Sequence, residues 1–167
     1  MRLAAWALPV FALVLLRAAP ASAQAAQATT CNVTLPNGVT ALGQDPTPHA
    51  HGTEALAVLL WPDGTVTFRP GGPGGVEPDG ALTMKFPWHR GVRGRLEIDG
   101  RRLDKPERAV RSLVAPGYGE VGFQSTLIAF PSAGCWEVTG RVADTTLTFV
   151  VNVVKIGSGP TPWRRVP

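Results

Sequence analysis

Residues 130–154 read FPSAGCWEVTGRVADTTLTFVVNVV. Within 135–142, Trp136, Val138 and Val142 point one way and Cys135, Glu137, Thr139 and Arg141 the other. Alternation with period 2 sets one face of a strand on a core and the other in water. Residues 143–146 turn the backbone, and Leu147, Phe149, Val151 and Val153 resume the alternation. The stretch therefore predicts a β-hairpin, with Pro131 and Gly134 marking the break before it.

Outward from this hairpin the sequence keeps the same grammar. Residues 55–61 are an apolar run, Pro62-Asp63-Gly64 is a turn, and residues 65–68 alternate, which predicts a second hairpin. Residues 31–35 read as a short first strand. Residues 69–80 read as a mobile Gly/Pro surface loop with no side chains to build a core, crossing from one sheet to another. Leu82, Met84 and Phe86 alternate until Pro87, and residues 88–91 read as a loop. Residues 94–98 are a strand, Asp99-Gly100 a hairpin turn, and residues 101–103 the return. Residues 109–114 form a short strand or helical turn, Pro116-Gly117-Tyr118-Gly119 a turn, and 122–130 a strand leading into the central hairpin. Many short strands punctuated by Gly and Pro, without a convincing helix, predict an all-β domain: a two-sheet antiparallel sandwich or a small barrel.

The N-terminus carries a different signal. Arg2, the apolar run 3–16 and the small residues Ala21-Ser22-Ala23 have the order of a secretory signal peptide. The run falls short of the roughly 20 apolar residues of a membrane span; the alternative is that it stays uncleaved and serves as an anchor. Thr30 before Cys31 argues against a lipid-anchor box. The predicted organisation is a signal peptide at 1–23, a single β-domain at 24–156 and a disordered tail at 157–167. Removing 23 of the 167 residues leaves 144, enough for one domain and too few for two. Loss of Arg2 and Arg17 lowers the net charge from +4 to +2. The basic residues are 13 Arg against 3 Lys, a mark of a GC-rich genome that points to a bacterium. The densest basic stretch, 89–102, is interrupted by Glu97 and Asp99, which argues against nucleic acid as a partner. In an exported protein, Cys31 and Cys135 are expected to pair. With Trp136 facing the core, such a bridge would hold the N-terminal segment over the outer face or edge of the sheet.

The common catalytic motifs are missing. Neither a Gly-x-Ser-x-Gly elbow nor a His-Glu-x-x-His pair occurs. The glycines at 71–75 precede no helix that could hold a phosphate. Ser132-Ala133-Gly134-Cys135 resembles the Ser-x-Gly-Cys of L,D-transpeptidases. Ala133 stands where that family has a His, and Glu137 where it has an Arg, so nothing would activate the thiol. No enzyme and no cofactor are expected. His49 and His51, at i and i+2 between Asp45 and Glu54, could hold Cu or Zn with His89 as a third ligand; the alternative is a polar loop that happens to contain His. Trp61 and Trp88 flank turns and could offer indoles to a protein or glycan partner at the cell envelope; the alternative is that both close the ends of the core.

The run Phe130-Pro131-x-x-Gly134-Cys135-Trp136-Glu137-Val138, a turn, then Leu147-Thr148-Phe149-Val150-Val151 resembles the last two strands of bacterial immunoglobulin-like domains in secreted proteins. Trp61 to Phe68, and Lys85-Phe86-Pro87-Trp88, look like segments of uncharacterised secreted bacterial proteins. The resemblance implies an immunoglobulin-like β-sandwich in an extracytoplasmic compartment, and no activity or site. The expected function is a non-enzymatic binding or structural module, its surface made by residues 49–52, 69–80 and 88–93; a metal-binding role for the histidines is the second expectation.

Overall fold

A computed structural model describes residues 30–39 and 48–162 of the protein. The predicted signal segment, Asp45 and residues 163–167 of the predicted tail lie outside them. The described part is all-β. Its strands are β1 (Ala50–Gly52), β2 (Leu56–Leu59), β3 (Thr65–Phe68), β4 (Gly75–Val76), β5 (Leu82–Arg90), β6 (Glu97–Arg102), β7 (Arg111–Val114), β8 (Gly122–Phe130), β9 (Gly134–Val142) and β10 (Thr145–Lys155). One sheet has the order β1-β2-β5-β8-β7, with β4 beside β5, and the other the order β3-β10-β9-β6.

The central hairpin is β9–β10, in the antiparallel register Trp136–Val151 and Val138–Phe149. Trp136, Val138, Val142, Phe149, Val151 and Val153 are all buried in one core. The facing sheet supplies Leu82, Met84, Phe86 and Trp88 from β5 and Ile128 and Phe130 from β8. Aromatic pairs join the layers: Phe86 to Phe149 and Phe130 to Trp136, each with centroids 5.8 Å apart. Burying a side chain of this size contributes about 1.5–3 kcal/mol. Trp136 also donates its indole N–H to the Ser132 carbonyl at 3.1 Å, so its one polar atom is satisfied.

Cys31 and Cys135 form a disulfide with a Cα–Cα distance of 5.4 Å. It holds the N-terminal segment where the alternation of β9 placed it. Thr34 N–H donates to the Val150 carbonyl, and Val150 N–H to the Thr34 hydroxyl, both at 2.9 Å. These two bonds replace a ladder, so the strand expected at 31–35 is an extended segment pinned to a sheet edge. Farther along, Asn37 exchanges side-chain bonds with Gly52, tying the same segment to β1.

Four other expectations change. The runs 55–61 and 65–68 do not pair with each other: β2 lies between β1 and β5, and β3 runs parallel to β10. The second sheet is therefore mixed, not wholly antiparallel. Pro62 to Gly64 form a 3₁₀ turn that leads from one sheet to the other. Val33 packs beside Gly64, where an added Cβ would meet it at 2.5 Å. Pro87 does not end its strand, because β5 continues to Arg90. The β2 ladder begins at Trp88 and the β4 ladder ends at Thr83, so Pro87 sits where that edge of β5 carries no partner strand. Asp99-Gly100 is no turn, because β6 runs straight through it beside β9. Gly100 is buried against the Glu137 carbonyl and Val110, and close approach rather than turning explains it. Of the disordered tail expected at 157–167, the described residues 157–162 lie against β4, where Pro162 forms a parallel bridge with Val76 and Gly159 and Pro160 are buried.

Candidate functional site

The expected loop surface does not assemble. β5 runs from Leu82 at one end of the sheets to Arg90 at the other, so residues 69–80 and 88–93 lie at opposite ends. Residues 50–52 are edge strand β1. Trp88 is 2% exposed, and its indole lies against Phe149 with centroids 5.8 Å apart. It is core, not binding surface: it lies in phase with Phe86 and Met84 on the inner face of β5. Trp61 is half-buried, packs on the core and donates its indole N–H to the Lys85 carbonyl at 3.3 Å.

The histidines do not converge either. His51 stands opposite Val58, which faces the core, whereas His89 stands opposite Ala57. Val58 and Ala57 are neighbours on β2, so His51 and His89 point to opposite faces of the sheet. His51 Nδ1 lies 3.0 Å from the Leu35 carbonyl, and His49 is exposed. Among the described residues no three His, Cys, Asp or Glu side chains come together to hold a metal. Cys135 is closed in its disulfide and offers no thiol. Among the described residues no helix is long and apolar enough to cross a membrane.

A different site forms where three connections meet. Residues 91–96 join β5 to β6, residues 115–121 join β7 to β8, and residues 143–144 join β9 to β10. All three lie at one end. An added Cβ at Gly94 would meet Val142, the end of β9, at 3.1 Å and the Ala143 amide nitrogen at 3.6 Å, so the first connection lies against the third. Gly91 N–H donates to the Ala55 carbonyl at 2.9 Å, tying the same connection to β2.

Arg90 joins the first two connections. It is 4% exposed, and it donates through Nη1 to the Gly94 carbonyl at 2.7 Å and through Nη2 to the Gly119 carbonyl. Its Nε–H is buried without an acceptor, as is the indole N–H of Trp88 two residues earlier on the same strand face. The inner face of β8 is polar at this end too. Gln124 donates to the Ala115 carbonyl at 2.8 Å, and the Thr126 hydroxyl to the Phe86 carbonyl at 2.7 Å. Beside Arg90 opens a cleft of about 410 Å³, lined also by Arg95, Tyr118, Glu120 and Gln124.

No family model matches this sequence, and no curated protein matches it.

Around the mouth of that cleft the surface turns apolar. Tyr118, Val121 and Phe123 are exposed, and the rings of Tyr118 and Phe123 are 5.5 Å apart. Phe123 is 53% exposed. It stands on the outer face of β8, directly opposite His89 of β5. Burial holds the His89 imidazole below its ordinary pKa of 6.5, and the neighbouring Arg90 charge acts in the same direction. Farther down the same face Leu113, also exposed, pairs across strands with Leu127.

Sequence reasoning missed Tyr118 and Phe123 and set Arg90 in a surface loop rather than at a core position, yet a signal existed. Arg90 falls in phase with Leu82, Met84, Phe86 and Trp88, an arginine at a core position. In residues 123–126, Phe123 points outward while Gln124 and Thr126 point inward, an inversion of the usual pattern. Reading Pro87 as a strand end hid the first sign.

Proposed function

We propose that the protein is a non-enzymatic, extracytoplasmic immunoglobulin-like binding module whose loop end receives a protein partner on Tyr118, Val121 and Phe123. The exposed Phe123 ring, packed at a tilt against Tyr118 where three connections meet, carries this reading. Large apolar side chains left in water beside one another mark interaction sites more often than isolated ones do. The immunoglobulin-like part draws support from strand order. The paths β2-β5-β8-β7 and β3-β10-β9-β6 follow the A-B-E-D and A′-G-F-C orders of that architecture, with a parallel first pair in the second sheet. In that architecture binding loops cluster at the ends of the two sheets. The export reading draws support from the disulfide, which persists in oxidising compartments, and from the signal-like N-terminus.

Capture from the native cell envelope, with wild type compared against a Phe123→Ser variant of unchanged near-UV circular dichroism, tests the proposal. A protein enriched by wild type and lost with F123S is expected. An identical capture profile for both, or self-association abolished by F123S, overturns it.

A further inference from the structure

The Arg90 cleft adds a chemical preference to that surface, and the inference rests on the loop end being a binding surface. A buried guanidinium ordinarily carries a carboxylate partner, because an uncompensated charge away from water is costly. Among the described residues no carboxylate lies within ion-pair distance of Arg90. Its partners are two backbone carbonyls, which leave its Nε–H without an acceptor. A guanidinium has five N–H donors in a planar fork. The other loop-end arginines differ: Arg93 is exposed and paired with Glu120, and Arg95 lies exposed on the cleft wall.

We propose that this cleft receives a carboxylate attached to an apolar group, the carboxylate drawn to Arg90 and Arg95 and the apolar part lying on Tyr118, against which Phe123 packs. One feature selects a carboxylate over a phosphate. The Gly94 and Gly119 carbonyl oxygens crowd Arg90, which disfavours a dianion with a third oxygen, whereas a flat monoanion matches the planar guanidinium. The volume, about 410 Å³, falls in the range of small-ligand sites. The chemistry suits a polypeptide C-terminus ending in an apolar residue, or a free aliphatic acid.

The Arg90 Nε–H resonance of ¹⁵N-labelled full-length protein reads the site directly. Titration with acetate, hexanoate, phosphate and chloride at matched ionic strength is the experiment. A saturable Arg90 shift is expected with acetate and not with chloride. Hexanoate should bind tighter by about fourfold for each methylene that reaches the aromatic rings. Arg95→Ala, on an exposed side chain, should weaken both acids by roughly two- to fivefold. Tyr118→Ser, which removes the ring that lines the cleft, should remove the advantage of hexanoate and leave acetate unchanged. Acetyl-Ala-Leu-Phe with a free or amidated C-terminus separates the sources: tighter binding of the free acid than of hexanoate assigns a polypeptide terminus, and the reverse assigns a free acid. No saturable shift, equal shifts with chloride, or phosphate binding above acetate overturns the proposal. The titration needs no partner, so failed capture of a protein leaves it standing. A null titration, equally, leaves the protein-partner reading of Phe123 intact.

Discussion

The indole of Trp88, on β5, lies directly over Gly140, on β9 in the opposite sheet. An added Cβ at 140 would stand 2.5 Å from two of its ring carbons. Interiors are packed to crystal-like density, so neither partner has room to yield. Gly140→Ala should destabilise by about 1–3 kcal/mol, the usual cost of overpacking. Urea unfolding measures it. Adding Trp88→Phe, which shrinks the ring and removes the unpaired indole N–H, should recover part of the loss. A G140A midpoint equal to wild type would mean that the sheets are not held at this separation.

The disulfide joins residues 104 apart in sequence and fastens a segment that has no ladder of its own. Replacing both cysteines by Ala should cost about 2–5 kcal/mol. Local behaviour should change as well. The Val150 amide, bonded to Thr34, should lose hydrogen-exchange protection far more than the Val138 amide in the middle of β9. Equal protection at Val150 with and without the bridge would show that the segment holds itself.

Arg102 donates to Asp104 at 2.6 and 3.0 Å, and this contact holds the Asp104 carboxyl at about 2, below its ordinary 3.8. The unfolded state then binds more protons between those values, so the stabilisation is complete above the ordinary carboxylate pKa and is lost as pH falls towards 2. Asp79, held at about 2 by Arg111, acts over the same window. Asp104→Asn should lower the urea midpoint at neutral pH and flatten its decline in acid. A decline parallel to wild type would remove Asp104 from the acid response.

His89 behaves with the opposite charge and the same sign. Its folded pKa is depressed by burial, so the unfolded state takes up a proton first as pH falls through 6.5. Stability should therefore fall from neutral to mildly acidic pH, and His89→Gln should flatten that slope. NMR titration of the imidazole checks the premise; a pKa at or above 6.5 would contradict it.

The residues alone determined most of the longer strands and their inner faces, but not the short edge strands β1 and β4. Trp136, Val138 and Phe149 turn inward because period-2 alternation is a local property, and only one face of a half-buried strand can be apolar. The same alternation placed Cys135 on the outer side of β9, which is why its bridge holds the N-terminal segment over the sheet. Strand partnership was decided only in three dimensions. Pro62-Asp63-Gly64 has hairpin chemistry, yet β2 joins β5 and β3 joins β10, because long-range ladders satisfy backbone groups that a local turn cannot assign. Asp99-Gly100 likewise resembles a turn and is a point of close approach. The loop-end site depends on the same long-range pairing. Arg90 and Gly119 are 29 residues apart in sequence and meet because β5 pairs with β8, and nothing in the order of residues states which strand ends will be neighbours.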